Sequence, residues 1–259
     1  MMKASRTLQL MFDQIFVWVC KDFKVKYNST ALGFFWSLLV PLCMSFTYYF
    51  VFGVMMRWDA HNYLLYLLCG NFFWQYFTNV VMANGNVMMS NSGLLKKTSF
   101  RHELLLWGTF AAEGIHFLLT WLVLFIAMLY YRVSPQWGNG LINIIVLLIF
   151  FPLFLMGISY FYAALNIYLR DLERIMGIFL TLWCFISPVF IPIQAIPAKY
   201  RYIYDLNPMA GFLGIFRNIF YEPGLYPQSW IIPCTVSVIL FLSGRWLFNR
   251  MSPCFAERM

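Results

Sequence analysis

The chain has 259 residues, of which 62% are hydrophobic, 21% aromatic and 11% charged, with a mean hydropathy of +0.70 and a formal net charge of +8. A soluble domain is roughly 25% charged, and uncharged runs recur here that are long enough to cross about 30 Å of hydrocarbon. A soluble catalytic domain is therefore excluded, and so is a β-barrel, because the runs lack period-two alternation. The expected fold class is an all-α polytopic membrane protein. It has six transmembrane helices, an N-terminal amphipathic interface helix, and a re-entrant periplasmic hairpin between helices 5 and 6.

Residues 1–30 form the expected N-terminal interface segment. Lys3 and Arg6 precede Leu8, Met11, Phe12, Ile15, Phe16, Val19 and Phe23, which repeat at helical spacing. Asp13, Gln14, Lys21, Asp22, Lys24 and Lys26 interrupt the apolar core that a secretion signal needs. One apolar stripe opposite a charged face describes a helix lying in the membrane surface, or equally a solvated helix packed on a partner.

Residues 31–250 hold the membrane domain, with spans over about 31–56, 63–83, 104–131, 141–168, 175–191 and 230–247; residues 251–259 form a short tail. Asn28-Ser29-Thr30 offers a cap before the first span, and Pro41 is expected to kink that span. The stretch from Asn84 to Glu103 reads as a polar connection, with Asn84, Asn86, Asn91, Lys96, Lys97 and Arg101. The third span is interrupted by Glu113 and His116. Leu169 to Arg174 is a tight charged turn, and Arg245 can snorkel from the sixth span.

After the fifth span the chain is broken by Pro188, Pro192 and Pro197, and Asn207-Pro208 starts a second apolar helix that stops at Tyr221-Glu222-Pro223-Gly224. Each proline removes a backbone donor. Backbone freed at membrane depth must be covered by protein or line an aqueous cavity. The stretch reads either as a partly re-entrant element beside a pathway or as an interfacial loop capping the bundle.

With the amino terminus inside, the inner segments carry 13 of the 18 Lys and Arg, leaving Arg57, Arg132, Lys199, Arg201 and Arg217 outside. This asymmetry places both termini in the cytoplasm. Anionic lipid headgroups are the natural counter-charges, and nothing points to nucleic acid. Cys43, Cys69, Cys184 and Cys234 fall in or beside spans, so neither a disulfide nor a metal site is expected.

The chain has no phosphate-binding GxxxxGK[ST] loop, no HExxH helix and no complete nucleophile elbow. Asp171 and Glu173 could be a metal-binding pair of a membrane glycosyltransferase. Flanked by Arg170 and Arg174, they read better as a self-neutralising turn or a docking contact. Glu113 is a carboxylate at helix centre, costing about 2.5–3.5 kcal/mol on insertion scales, so it should face the bundle interior or water and find a partner. His116 lies on the same helical face. The pair suits a proton relay or, more simply, a buried interhelical hydrogen bond. Aromatic rings can stack on the C–H faces of a glycan without holding it tightly. Phe34, Phe35, Phe46, Tyr49 and Phe50 of the first span, with Trp183, Phe185 and Phe190 of the fifth, could line such a path, or could face lipid.

Three regions of the chain resemble the membrane subunits of type-2 ABC exporters, in the branch of O-antigen, capsule and teichoic acid permeases. Lys21 to Pro41, KDFKVKYNSTALGFFWSLLVP, has the family's basic-residue, Tyr, Thr, Leu-Gly, Trp and Pro pattern. Asn166 to Pro188, NIYLRDLERIMGIFLTLWCFISP, has its Arg-Asp turn and closing Ser-Pro, and Ile196 to Arg217 has its Asn-Pro-Met and downstream Arg. Phe100-Arg101 after Lys96-Lys97 departs from the pattern, since many relatives have a Pro there.

The resemblance implies a homodimer of twelve spans in the bacterial inner membrane, bound to two copies of a separate cytoplasmic ABC ATPase. That partner would hold ATP and Mg, and this chain would carry no cofactor and be no enzyme. The interface helix and the connection bearing Lys96, Lys97 and Arg101 would meet the ATPase, with Arg170, Asp171, Glu173 and Arg174 as a further cytoplasmic contact. Lys24, Lys26, Tyr27 and Gly33 would meet the head of an undecaprenyl-linked or other lipid-linked glycan. Pro188, Pro192, Pro197, Asn207, Pro208 and Arg217 would form the outer gate. The six-span topology and the Arg-Asp turn favour O-antigen over capsule or teichoic acid. A drug or lipid exporter, or a membrane-embedded glycosyl- or acyltransferase, is the alternative.

Overall fold

The computed structural model of the chain describes residues 2–27, 35–57, 62–95, 102–135, 137–169, 171–221 and 230–255, and every regular element among them is helical. In chain order these are α1 (Met2–Tyr27), α2 (Trp36–Tyr48), α3 (Tyr63–Ser90), α4 (Ser92–Leu95), α5 (His102–Tyr131), α6 (Trp137–Asn166), α7 (Leu172–Ile186), α8 (Arg201–Leu206), α9 (Pro208–Phe220) and α10 (Ile231–Met251). A π-helical segment, Tyr49–Met55, continues α2. Four helical stretches among the described residues are long and apolar enough to cross a membrane: Trp36–Met55, His102–Tyr131, Gly140–Asn166 and Ile231–Cys254.

Helix α3 is long enough to cross but less apolar, and its position explains why. It is the centre of the bundle, with Leu65, Cys69, Phe77, Val80 and Val81 fully buried. A helix surrounded by protein can carry polar groups that find partners there, whereas a lipid-facing helix cannot. Asn71 donates to Pro41 O and Ser45 Oγ of α2, and Asn84 donates to Ser159 Oγ of α6 at 3.0 Å. Phe73 stacks on Phe151 of α6 at 4.3 Å and meets Phe216 of α9 at 4.8 Å. Helices α6 and α10 approach closely at Gly157 and Gly244. A Cβ on Gly244 would stand 2.6 Å from Gly157 O, so small residues set that contact.

Several boundaries differ from the sequence expectation, and α10 runs on to Met251 past the expected end at 247. Helix α3 does not stop at Ala83 but runs to Ser90. Asn84 and Asn86 therefore lie within it, where each amide finds a partner on α6 or α7 that the local sequence does not show. Helix α6 starts at Trp137, shortening the turn expected up to Gly140. Helix α7 spans Leu172–Ile186, not 175–191, and at 1.5 Å per residue its 15 residues cover about 22 Å.

The chain beyond α7 is knotted to the bundle by side chains. Pro188 and Val189 leave carbonyls with no helical donor. Tyr66 Oη of α3 donates to Pro188 O at 2.8 Å, and Tyr63 Oη donates to Phe190 O at 2.9 Å. Arg217 of α9 donates to Pro188 O and, at 2.9 Å, to Val189 O. Asn207 caps α9 by accepting from Met209 N at 3.0 Å, while its Nδ2 donates to Ser187 Oγ at 2.9 Å. The freed backbone is thus covered by protein at this point.

Candidate functional site

Helix α1 docks on α5 through three side chains. Trp18 is 8% exposed and donates its indole N–H to Thr109 Oγ1 at 3.3 Å. Phe23 stacks on His116 with ring centroids 4.7 Å apart. Lys26 Nζ reaches Glu113 Oε1 at 2.5 Å and Asp22 Oδ2 at 2.9 Å. The Glu113 side chain is 8% exposed and that of Lys26 34%. Burial lowers the Lys26 pKa, but the charge of Glu113 and the hydrogen bonds to Glu113 and Asp22 outweigh it and hold the value above the ordinary 10.5. The carboxylate at the centre of α5 is therefore met by a cation from the amino-terminal helix. Phe12 and Phe16 stay exposed on the outer side of α1, which suits a helix bedded in a membrane surface.

Above this docking face lies a cavity of about 440 Å³. Lys26 of α1 borders it, with Trp36, Ser37 and Pro41 from α2. Helix α3 contributes Gln75, Tyr76 and Asn79, and α5 contributes Glu113, His116 and Thr120. The lining therefore mixes amides, hydroxyls and one ion pair with aromatic walls. Of the residues expected at the lipid-linked head, Lys26 borders this cavity, Lys24 is exposed near the end of α1, and Tyr27 is the last residue of α1. Gly33 lies outside the described residues.

The aromatic set is scattered rather than joined in one groove. Phe35, Phe46 and Phe50 are exposed along α2 and its π segment, and Phe185 is exposed on α7. Tyr49 is half-buried and faces Tyr63 at 6.4 Å. Phe190 is buried between Tyr48 and Phe52, with centroids at 4.4 and 5.8 Å, so it is core in this subunit. Trp183 is half-buried and donates to Asn207 Oδ1 at 3.0 Å. Phe34 lies outside the described residues.

On the side of α3 toward Ser90, Glu173 accepts from Asn86 Nδ2 at 2.9 Å, and Asn166 donates to Asn86 Oδ1 and Gly85 O. This cluster ties the start of α7 to the ends of α3 and α6. Asp171 precedes α7 and is exposed, as is Arg174, while Lys96, Lys97, Arg101 and Arg170 lie outside the described residues. Of the outer-gate set, Pro188, Pro192 and Asn207 are buried, Pro208 is half-buried and Pro197 is exposed. Arg217, expected in the outer gate, is fully buried over Tyr66 and bonded to carbonyls. Sequence reasoning passed over Trp18, Gly70, Gln75 and Asn79. The amides were legible as a polar i, i+4 series inside an apolar run.

An apolar helical bundle with an amphipathic helix clasped to its side and an open amphiphilic cavity between its helices suits a membrane permease. The chain belongs to the ABC-2 type transporter family, which matches residues 13–221. It is 31% identical to the O-antigen export system permease protein RfbA of Klebsiella pneumoniae, over 98% of each chain. A second RfbA protein from Klebsiella pneumoniae is also 31% identical, over 99% of this chain and 98% of its own. The RfbA protein of Myxococcus xanthus is 28% identical over 92% of each.

Proposed function

We propose that this chain is the membrane-spanning permease subunit of an ATP-driven exporter that moves a lipid-linked O-antigen polysaccharide across the inner membrane. The observation that carries the reading is the 31% identity to O-antigen export permeases along nearly the entire length of both chains. In this reading α2 with its π segment, α3, α5, α6, α7 with the chain that follows it, and α10 are six spans. Both termini face the cytoplasm, α1 is the interface segment of residues 1–30, and residues 251–259 are a cytoplasmic tail. The α8–α9 region is a partly re-entrant outer hairpin.

Two copies pair, and two copies of a cytoplasmic ABC ATPase bind beneath them and hold ATP and Mg. The apolar faces left bare on α2 and α7, including Phe46, Phe50, Phe179 and Phe185, support contact with a second copy or with the path between copies. The docked α1 and the Asn86–Glu173 cluster suit transmission of the ATPase stroke into α5, α3 and α7. The undecaprenyl-linked or similar carrier is met at the junction of α1 and α2, where exposed Lys24 can hold its phosphate.

Deleting the gene tests the reading. The lipid-linked O-antigen should accumulate inside the cell and disappear from the surface, and the plasmid-borne gene should restore it. Normal surface polysaccharide in the deletion strain would refute the assignment.

A further inference from the structure

We propose that the cavity between α1, α2, α3 and α5 seats an uncharged sugar ring of the lipid-linked glycan, held by the amide stripe of α3. This rests on the exporter reading above and names the part of the substrate that the cavity takes.

Asn71, Gln75 and Asn79 recur at i, i+4 and share one face of α3. Asn71 is committed, donating to Pro41 O and Ser45 Oγ and accepting from Gln75 Nε2 at 3.3 Å. Gln75 has no other hydrogen bond among the described residues, and Asn79 has none. Both line the cavity. Gln75 is half-buried and Asn79 exposed on the cavity wall, so both amides are open to water or to a ligand. Trp36 of α2, 46% exposed, adds an aromatic ring to the lining.

Charge decides between sugar and phosphate. Lys26 is the one Lys or Arg among the described lining residues, and it is already shared by Asp22 and Glu113. An anion seated here would have to strip a buried carboxylate of its partner, whereas a neutral polyol needs only the amides. The phosphate therefore stays outside, near Lys24, while the ring beyond it enters. The volume of about 440 Å³ lies within the roughly 300–1,000 Å³ of small-molecule sites and admits a few rings at most, not a polymer. A seat built from few neutral hydrogen bonds also releases its ligand readily, as a processive path requires.

The test places a photo-reactive benzoylphenylalanine at position 79 of the full chain in cells that make the glycan, with a second at lipid-exposed Leu122 as control. Illumination should give a sugar-bearing adduct at 79 and none at 122. Asn79→Leu should express and extract like the native protein, since Asn79 is exposed and unpartnered, yet lower export several-fold; Asn79→Gln should recover most of it. An adduct at 79 carrying only phospholipid or polyprenyl chain, or full export by Asn79→Leu, would overturn the inference and leave the exporter reading standing. Normal export in the gene-deletion strain would overturn both.

Discussion

The guanidinium carbon of Arg217 lies 3.6 Å from the centroid of the Tyr66 ring, and the phenol of Tyr66 donates to the same Pro188 carbonyl that Arg217 engages. The Pro188 and Val189 carbonyls lie past the end of α7 and have no helical donor, so a buried cation can satisfy them. The pair holds the broken segment after α7 against α3 and α9. The space for it comes from Gly70, where a Cβ would stand 2.2 Å from Arg217 Nη2 and 2.7 Å from Val189 O.

Gly70→Ala should therefore displace the guanidinium and leave it short of partners. Disrupting a buried charged contact costs about 3 kcal/mol, so the melting temperature in detergent should fall by several degrees. Gly93→Ala, where a Cβ meets nothing within 4 Å, is the matched control and should be near neutral. Equal melting of the two variants would remove Gly70 from the account.

The Lys26–Glu113 pair makes a second prediction. Lys26→Met and Glu113→Gln, alone and together, should show coupling of about 1 kcal/mol in the release of α1, read by protease protection. The pH dependence has a defined sign. The folded pKa of Lys26 is raised above 10.5, so its contribution is fully present below that pH and is lost as pH climbs through the folded value. Varying pH from 7 to 9 should leave the Lys26 contribution to α1 docking unchanged. Loss of that contribution within this window would contradict the pair.

Trp18 and Gly108 give a third. A Cβ on Gly108 would come within 2.4 Å of the Trp18 indole. Gly108→Ala should undock α1 far more than Trp18→Phe, which keeps a ring and loses one hydrogen bond worth about 1 kcal/mol. The reverse order would show that the indole N–H, not the fit, holds the helix.

Much of the bundle was legible in the sequence because lipid-facing helices announce themselves by unbroken hydropathy, as α5, α6 and α10 do. The centre was harder. Asn84 and Asn86 read as loop because an amide in isolation favours turns; only the folded chain brings Ser159, Asn166 and Glu173 to them. Glu113 was expected to need a partner, but that partner sits 87 residues away on α1, a pairing that local periodicity does not encode. The burial of Arg217 was not legible, because positive-inside counting sees a residue's position in the chain and not its packing. Pro188 and Asn207 were legible from their backbone chemistry alone.

Topology can be checked with native thiols. Cys20 of α1 and Cys254 after α10 are exposed. A membrane-impermeant maleimide should label both in inverted inner-membrane vesicles and neither in intact spheroplasts. Labelling of either from the outside would reverse the orientation.

A conduit driven by a partner's ATP should carry that partner with it when the tagged chain is affinity-purified from its native membrane and assayed by mass spectrometry and ATP hydrolysis. A P-loop ATPase should co-purify in equal amount, with activity abolished by mutating that partner's P-loop lysine. A chain that purifies without any ATPase, while its cells export polysaccharide through it undiminished, would contradict the account.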